Sequence, residues 1–112
     1  MLIGELSQRS GVSARSLRYY ESHDLLHAER SENGYRSYGE AAVERARTAH
    51  LLFDLGIERD LVRSVLACTG DVSAEVHRAT RDQLADVRDR MSERIAELTQ
   101  AHARLARIID DM

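Results

Sequence analysis

Histidine, cysteine and serine are the residue types that most often bind metals or carry out catalysis, and this sequence has few of them in productive spacings. His23 and His27 are four residues apart and could share a metal ion, but their place at a helix end beside two leucines favours ordinary surface histidines. Cys68 is the single cysteine, which excludes an intrachain disulfide and a four-thiolate zinc site and favours a small buried apolar residue over a sensor. The sequence has neither a glycine-bounded nucleophile turn nor a glycine-rich phosphate loop. It therefore argues against an enzyme, and no cofactor or metal site is predicted.

Arginine supplies all of the basic charge, because the sequence holds 16 basic residues and no lysine, against 19 acidic residues and a net charge of −3. A mildly acidic balance argues at first against nucleic-acid binding, since such proteins usually carry an excess of positive charge. The acidity is uneven: residues 1–38 hold five arginines and five acidic residues, whereas residues 71–112 hold seven and nine. The arginines of the first segment stand among four of the five aromatic residues, so their local placement outweighs the total charge.

Length and hydropathy fit one soluble protein of a reducing cytoplasm. The chain has 112 residues, and no apolar run exceeds four, far short of the roughly 20 residues that span a membrane. The N-terminus lacks the basic and then apolar layout of a secretory signal. No membrane partner is therefore expected.

The first part of the chain has the pattern of a helix-turn-helix followed by a hairpin. Helices are predicted near 3–9 and 14–22. A tight turn at Gly11 separates them, and Ser13 is expected to cap the second helix. The Asn33-Gly34 pair predicts a turn between two short strands, that is, a small wing. Apolar spacing then predicts helices over 40–55 and from 57 to about 66.

The last part of the chain is predicted to be one long helix from residue 72 onward, because no glycine, proline or aromatic residue follows Gly70. Its apolar residues repeat every seven positions over four heptads, which predicts a coiled coil and therefore dimerisation. The alternative is that this helix packs back on its own head. The predicted domains are residues 1–70, the head, and residues 71–112, the coil. The predicted dimer interface comprises Leu84, Val87, Met91, Ile95, Leu98, Leu105 and Ile108.

With these residues laid out, the sequence resembles the MerR family of transcriptional regulators over nearly its whole length. The segments that carry the resemblance are residues 3–7 (IGELS), 11–21 (GVSARSLRYYE), 30–38 (RSENGYRSY) and 55–57 (LGI). The resemblance implies a mainly α protein: a winged helix-turn-helix DNA-binding head with a small β-hairpin wing, followed by a long coiled-coil dimerisation helix. It further implies a homodimer on a palindromic promoter operator, which bends and untwists the DNA so that RNA polymerase can engage. Only the family suggests an antiparallel coil.

The resemblance also implies roles for individual residues of the head. Arg15 and Ser16, at the start of the recognition helix, would reach base edges, and arginine can grip guanine with two hydrogen bonds. Backbone phosphates would be held by Arg18 and Tyr20, with Tyr19 in either role. In the wing, the residues expected to contact the DNA backbone are Arg30, Asn33, Tyr35 and Arg36, whereas Tyr38 would pack. The alternative for these arginines is an ordinary solvated surface position.

An effector usually triggers regulators of this family, and here it is unknown. Metal and redox sensors of the family carry cysteines after the long helix, where this chain ends, so no dedicated sensor is expected. Ser73 falls near a position used by some metal sensors, but a hydroxyl alone is a poor ligand for soft metals. Three alternatives remain: a coiled-coil protein-interaction adaptor, a heterodimer partner of a longer regulator, and a constitutive binder without an effector.

Overall fold

The computed structural model describes residues 1–30 and 33–112, so Ser31 and Glu32 of the wing motif lie outside the described residues. The prediction of a mainly α head with a small hairpin and one long helix is confirmed. The elements in chain order are α1 (Ile3–Ser10), α2 (Ala14–Ser22), β1 (Glu29–Arg30), β2 (Arg36–Ser37), α3 (Ala41–Asp54), α4 (Arg59–Ala67) and α5 (Ala74–Asp111).

The turn between α1 and α2 is made by a glycine and a serine. Gly11 ends α1 with a φ of +75°, which glycine adopts without steric cost, and its amide donates to the Ser7 carbonyl at 2.9 Å. Ser13 caps α2, because its Oγ accepts a hydrogen bond from the Ser16 amide at 3.1 Å. This turn fixes the direction in which α2 leaves the core.

The core of the head is built from one apolar stripe of each helix. Leu6 of α1 and Leu17 of α2 have no exposed surface, and α3 packs against both of these helices. Tyr20 and Tyr38 complete this core with 3% of their surface exposed. The remaining buried apolar residues are Val12, Leu25, Leu26, Ala42, Val43, Ala46, Ala49, Leu52, Ile57, Leu61, Val62 and Leu66.

Arginine side chains hold the helices of the head together. Arg45 of α3 donates from Nε to the Leu25 carbonyl at 2.7 Å and from Nη1 to the Leu66 carbonyl at 3.4 Å. Arg9 of α1 forms a two-pronged ion pair with Glu40 at 2.8 and 2.6 Å. Because Arg45 is a charged donor, its two hydrogen bonds link α3 both to the segment after α2 and to the last turn of α4.

The helix α5 is 38 residues long and leaves the head after its first turns. Thr80 is its one buried residue, and Leu84 and Val87 pack partly against the core of the head. From residue 88 onward every residue is exposed, and the molecule is 72 Å long. Burial of α5 against its own head is therefore limited to the residues before 88.

Candidate nucleic-acid interface

The exposed face of α2 presents the residues that sequence reasoning assigned to base and phosphate contact. Arg15 and Arg18 are exposed and lie one turn apart, so their side chains share a face of the helix. Ser16 is half-buried, and its hydroxyl accepts a hydrogen bond from Ser13 Oγ at 3.1 Å. Leu17 points the other way, into the core. This amphipathic division leaves the two guanidinium groups free of the packing that holds α2.

The two neighbouring tyrosines of α2 have different surroundings. Tyr19 is 42% exposed and packs its ring on His23, with the centroids 4.4 Å apart. Tyr20 is stacked on Phe53 at 5.5 Å, and its hydroxyl lies 3.4 Å from Nδ1 of His50. Burial raises the pKa of Tyr20 above its ordinary value. The expected phosphate contact of Tyr20 does not fit this position, because the core side of α2 takes every third or fourth residue and Tyr20 follows Leu17 by three.

The wing brings two further arginines together. In the register of the hairpin, Arg30 of β1 stands directly opposite Arg36 of β2, so both side chains lie on one face. Like charges in such a pair repel each other, which is unfavourable for folding and favours binding of an anion. Asn33 and Tyr35 are exposed in the connecting turn, where Gly34 has a φ of +79°.

The wing is fastened to α2 through Glu21 and Tyr38. The hydroxyl of Tyr38 donates to the Glu21 carboxylate at 2.7 Å, and Nη1 of Arg36 lies 3.4 Å from the same carboxylate. Burial, together with the bond to Glu21, raises the pKa of Tyr38 to about 12. The Tyr38 backbone also exchanges two hydrogen bonds of 2.7 Å with Met1. The expected packing role of Tyr38 fits this position.

A shallow depression lies where α1, α2 and the wing meet. Arg18 and Arg36 both line it, together with Leu2, Ile3, Glu21, Tyr35 and Tyr38. The structure thus brings Arg18, Tyr35 and Arg36 together, although Tyr35 and Arg36 follow Arg18 by 17 and 18 positions. A groove with two guanidinium groups and an aromatic ring can bind a phosphate and its sugar.

The start of α4 adds two arginines that sequence reasoning did not assign to the interface. Nη1 of Arg59 lies 3.4 Å from the Tyr19 hydroxyl and 3.3 Å from Nε2 of His23. Arg63 donates to the His23 carbonyl at 2.8 Å and pairs with Asp60 at 3.0 Å. No sequence signal could have placed them there, because the contact joins residues about 40 apart through the tertiary fold.

The predicted dimer residues fall into two groups. Leu84 and Val87 are half-buried against their own head, because α5 packs on α4 before it projects. The others form an exposed apolar stripe on the free part of the helix, with exposed fractions between 40% and 64%: Met91, Ile95, Leu98, Leu105 and Ile108. An apolar stripe of this length on a projecting helix is typical of a protein-interaction surface.

The residues considered for sensing have structural surroundings. Ser73 caps α5, since its Oγ accepts a hydrogen bond from the Val76 amide at 3.2 Å. Cys68 is half-buried after the end of α4, and His23 contacts Arg59. Within residues 1–30 and 33–112, no three His, Cys, Asp or Glu side chains come together as a possible metal site. None of the helices in the described part of the chain is long and apolar enough to cross a membrane.

Comparisons with known proteins agree with this geometry. Residues 2–38 match the family model of the MerR family regulatory proteins. The chain is 35% identical over 112 residues to the HTH-type transcriptional regulator HmrR of Rhizobium leguminosarum bv. viciae, covering 97% of this chain and 84% of HmrR.

Solved structures show the same fold. A MerR family transcriptional regulator from Listeria monocytogenes superposes with a TM-score of 0.72 at 28% identity, covering 98% of this chain and 83% of that one. HiNmlR, a MerR family regulator lacking the sensor domain and bound to promoter DNA, superposes with a TM-score of 0.65 at 22% identity, covering 89% and 76%. From the match to HmrR over most of both chains, together with the winged head and projecting helix, it follows that this chain belongs to the MerR family.

Proposed function

We propose that this chain is a sequence-specific transcriptional regulator that binds a palindromic promoter operator as a homodimer. Its relatives are transcriptional regulators rather than enzymes. The observation that carries the proposal is that Arg18 of α2 and Arg36 of the wing line one surface, with Arg15 exposed one turn earlier on α2, on a head that also carries a projecting helix with an exposed apolar stripe. Binding to promoter DNA would place the protein in the cytoplasm.

We propose that the arginines fall into two groups, one that contacts base edges and one that contacts backbone phosphates. Arg15, in the first turn of α2, would enter the major groove and read base edges, with Ser16 beside it. The phosphate contacts are proposed for Arg18, Tyr19, Arg30, Asn33, Tyr35 and Arg36. Tyr20 is left out of this interface because it is buried.

The experiment that tests this division is a footprint on the DNA flanking the gene, followed by binding titrations at several salt concentrations. Arg36→Ala should weaken binding to the operator and to a scrambled duplex alike and reduce the salt slope by about one. Arg15→Ala should weaken binding to the operator by about 1–3 kcal/mol and leave binding to the scrambled duplex nearly unchanged. Arg78→Ala, an exposed α5 control with the same change of charge, should bind as the wild type does.

Two outcomes would contradict the proposal. If Arg15→Ala and Arg36→Ala each lowered the affinity for both duplexes by the same factor, the division between base and phosphate contact would be wrong. If a stable dimer protected no palindrome, the rival function, a coiled-coil adaptor or heterodimer partner, would replace DNA binding.

The dimer is proposed to form along the exposed stripe of α5, with the two helices antiparallel. In heptad notation, Leu84, Met91, Leu98, Leu105 and Met112 occupy position a, and Val87, Arg94, Ala101 and Ile108 occupy position d. An antiparallel pair places each a residue opposite a d residue. Leu98 then faces the small Ala101 of the partner subunit, and Met91 faces the partner's Ile108.

Charges beside the stripe support the antiparallel arrangement over the parallel one. In the antiparallel pair, position g of one helix lies beside position g of the other. Arg90 therefore meets the partner's Asp111, and Glu97 meets the partner's Arg104. A parallel pair would instead place Arg94 against the partner's Arg94 in the apolar seam, where like charges are costly. All four residues at position g are exposed in the single chain, and none has a salt-bridge partner among the described residues.

This arrangement joins the dimer to promoter control. A two-fold dimer matches a palindrome because each head reads one half-site, and the heads lie toward opposite ends of the coil. Each α5 helix has 38 residues and is about 57 Å long at 1.5 Å per residue, so the half-sites would be separated by more than one turn of DNA. Bending and untwisting of the DNA between them would then align the promoter for RNA polymerase.

A further inference from the structure

A carboxylate lies inside the surface proposed to meet DNA. Glu21 is on the last turn of α2, and 18% of its side chain is exposed. It accepts the hydroxyl of Tyr38 at 2.7 Å and lies 3.4 Å from the guanidinium of Arg36. A negative charge at this place repels phosphate, so its presence calls for a compensating role.

The wing has little of its own to hold it in place. Each of its strands is two residues long, and an isolated two-stranded hairpin is at best marginally stable in water. The opposition of Arg30 and Arg36 adds repulsion within it. Among the described residues, Met1 holds the backbone of Tyr38, and the side-chain hydrogen bonds between the wing and α2 run through Glu21, which offsets this repulsion and accepts from the buried Tyr38.

Glu21 also connects the wing with the phosphate-contacting part of α2. Arg18 precedes it by three residues, so the two side chains are neighbours on the helix. Arg18, Arg36 and Glu21 all line the same depression. The Glu21 carboxylate pairs with Arg36 and, through its charge, attracts the neighbouring Arg18 toward the same depression.

We propose that Glu21 is a positioning residue that fastens the wing to the recognition helix, so that Arg18 and Arg36 converge on the DNA backbone. This inference rests on the proposed DNA-binding function. The gain from orienting two cations outweighs the repulsion between Glu21 and phosphate.

The direction in which the affinity for DNA changes distinguishes positioning of the arginines by Glu21 from simple repulsion of phosphate by its charge. E21Q removes one negative charge, and if Glu21 only repelled phosphate, the variant would bind DNA more tightly. If Glu21 positions the arginines, E21Q binds roughly tenfold more weakly, because one charge-assisted orienting contact is lost. The probes are the duplex protected in the footprint and a scrambled duplex of the same length.

Two further variants complete the test. E29Q is the matched control: it makes the same charge change on exposed β1 and should bind equally well or slightly more tightly. Y38F keeps the ring and removes the hydroxyl, so it should weaken binding in the same direction as E21Q. The double variant E21Q/Y38F should bind DNA no more weakly than E21Q alone, because both changes break the same connection.

A readout without DNA keeps the inference separate from the proposed function. In E21Q, amides of the wing should exchange with solvent faster than in the wild type, whereas the core amides of α1 and α3 should be unchanged. Unchanged wing exchange, or tighter DNA binding by E21Q, would overturn the inference. If the wild type bound no duplex while E21Q still freed the wing, the DNA-binding proposal would fail and the fastening role would stand.

Discussion

Reversing the charge of Arg90 is the most direct test of how two copies of α5 meet. In the proposed antiparallel pair, Arg90 lies beside the partner's Asp111 on both sides of the two-fold axis. R90E therefore turns two attractive pairs into two repulsive ones. In a parallel pair the same substitution would meet no acidic partner, because position g would then lie beside Ile95 of the partner subunit.

The expected magnitude follows from the exposure of these side chains. Both residues are exposed in the single chain, so each pair contributes about 0.5 kcal/mol, as surface ion pairs do. Losing two attractions and gaining two repulsions of that size weakens the dimer by about 2 kcal/mol, roughly 30-fold in its Kd. Added salt should shrink this difference, because solvent-exposed charges are screened.

The assay is sedimentation equilibrium over a dilution series at low and at high salt, with a helix melt of each variant to verify that the head is folded. R90E and D111R should each weaken the dimer, and the double variant R90E/D111R should restore it by re-forming the pairs with exchanged signs. The matched control is R107E/D110R, which makes the same changes on the outward face of the helix and should dimerise as the wild type does. Additive losses in R90E/D111R would refute the antiparallel register, and a monomeric wild type would refute the dimer itself.

Three other substitutions test the head and the coil. Arg45→Met should lower the free energy of unfolding by about 2 kcal/mol in urea titrations, because two carbonyl acceptors lose a charged donor, whereas Arg81→Met on exposed α5 should have almost no effect. Leu98→Glu should give monomers in sedimentation and reduce the helix signal, because a carboxylate would then lie in the middle of the apolar seam. The raised pKa of Tyr38 implies that its contribution to stability is complete below pH 10, the ordinary value, and is lost as the pH rises to about 12. Unfolding of Tyr38→Phe should therefore depend less on pH over that interval, and an identical pH dependence would contradict this role.

Sequence reasoning went furthest where one local pattern decides the structure. Gly11 and Ser13 marked the turn of the helix-turn-helix, and α2 begins where they predict, at Ala14. The lack of glycine and proline after residue 70 predicted α5, whose start is set by the Ser73 cap. Local signals of this kind survive because capping and turn geometry depend on few neighbours.

The assignments that needed long-range contacts were less complete. Tyr19 and Tyr20 are the same residue type in adjacent positions, and only the packing against Phe53 and His50 shows that Tyr20 belongs to the core. Leu84 belongs to the same heptad series as Leu98, yet its own head covers part of it. A periodic pattern shows that a face is apolar and leaves open which surface covers it.

By itself, the sequence determined the family, the order of the elements, the exposed arginines of α2 and the apolar stripe of α5, because each is written in residue type and spacing over a few turns. The tertiary structure alone decided that Arg36 reaches Glu21 and that Arg59 reaches Tyr19. It also decided where α5 leaves its head. These contacts join residues 15 to 40 positions apart, and their geometry depends on how the helices pack in the core rather than on any local preference.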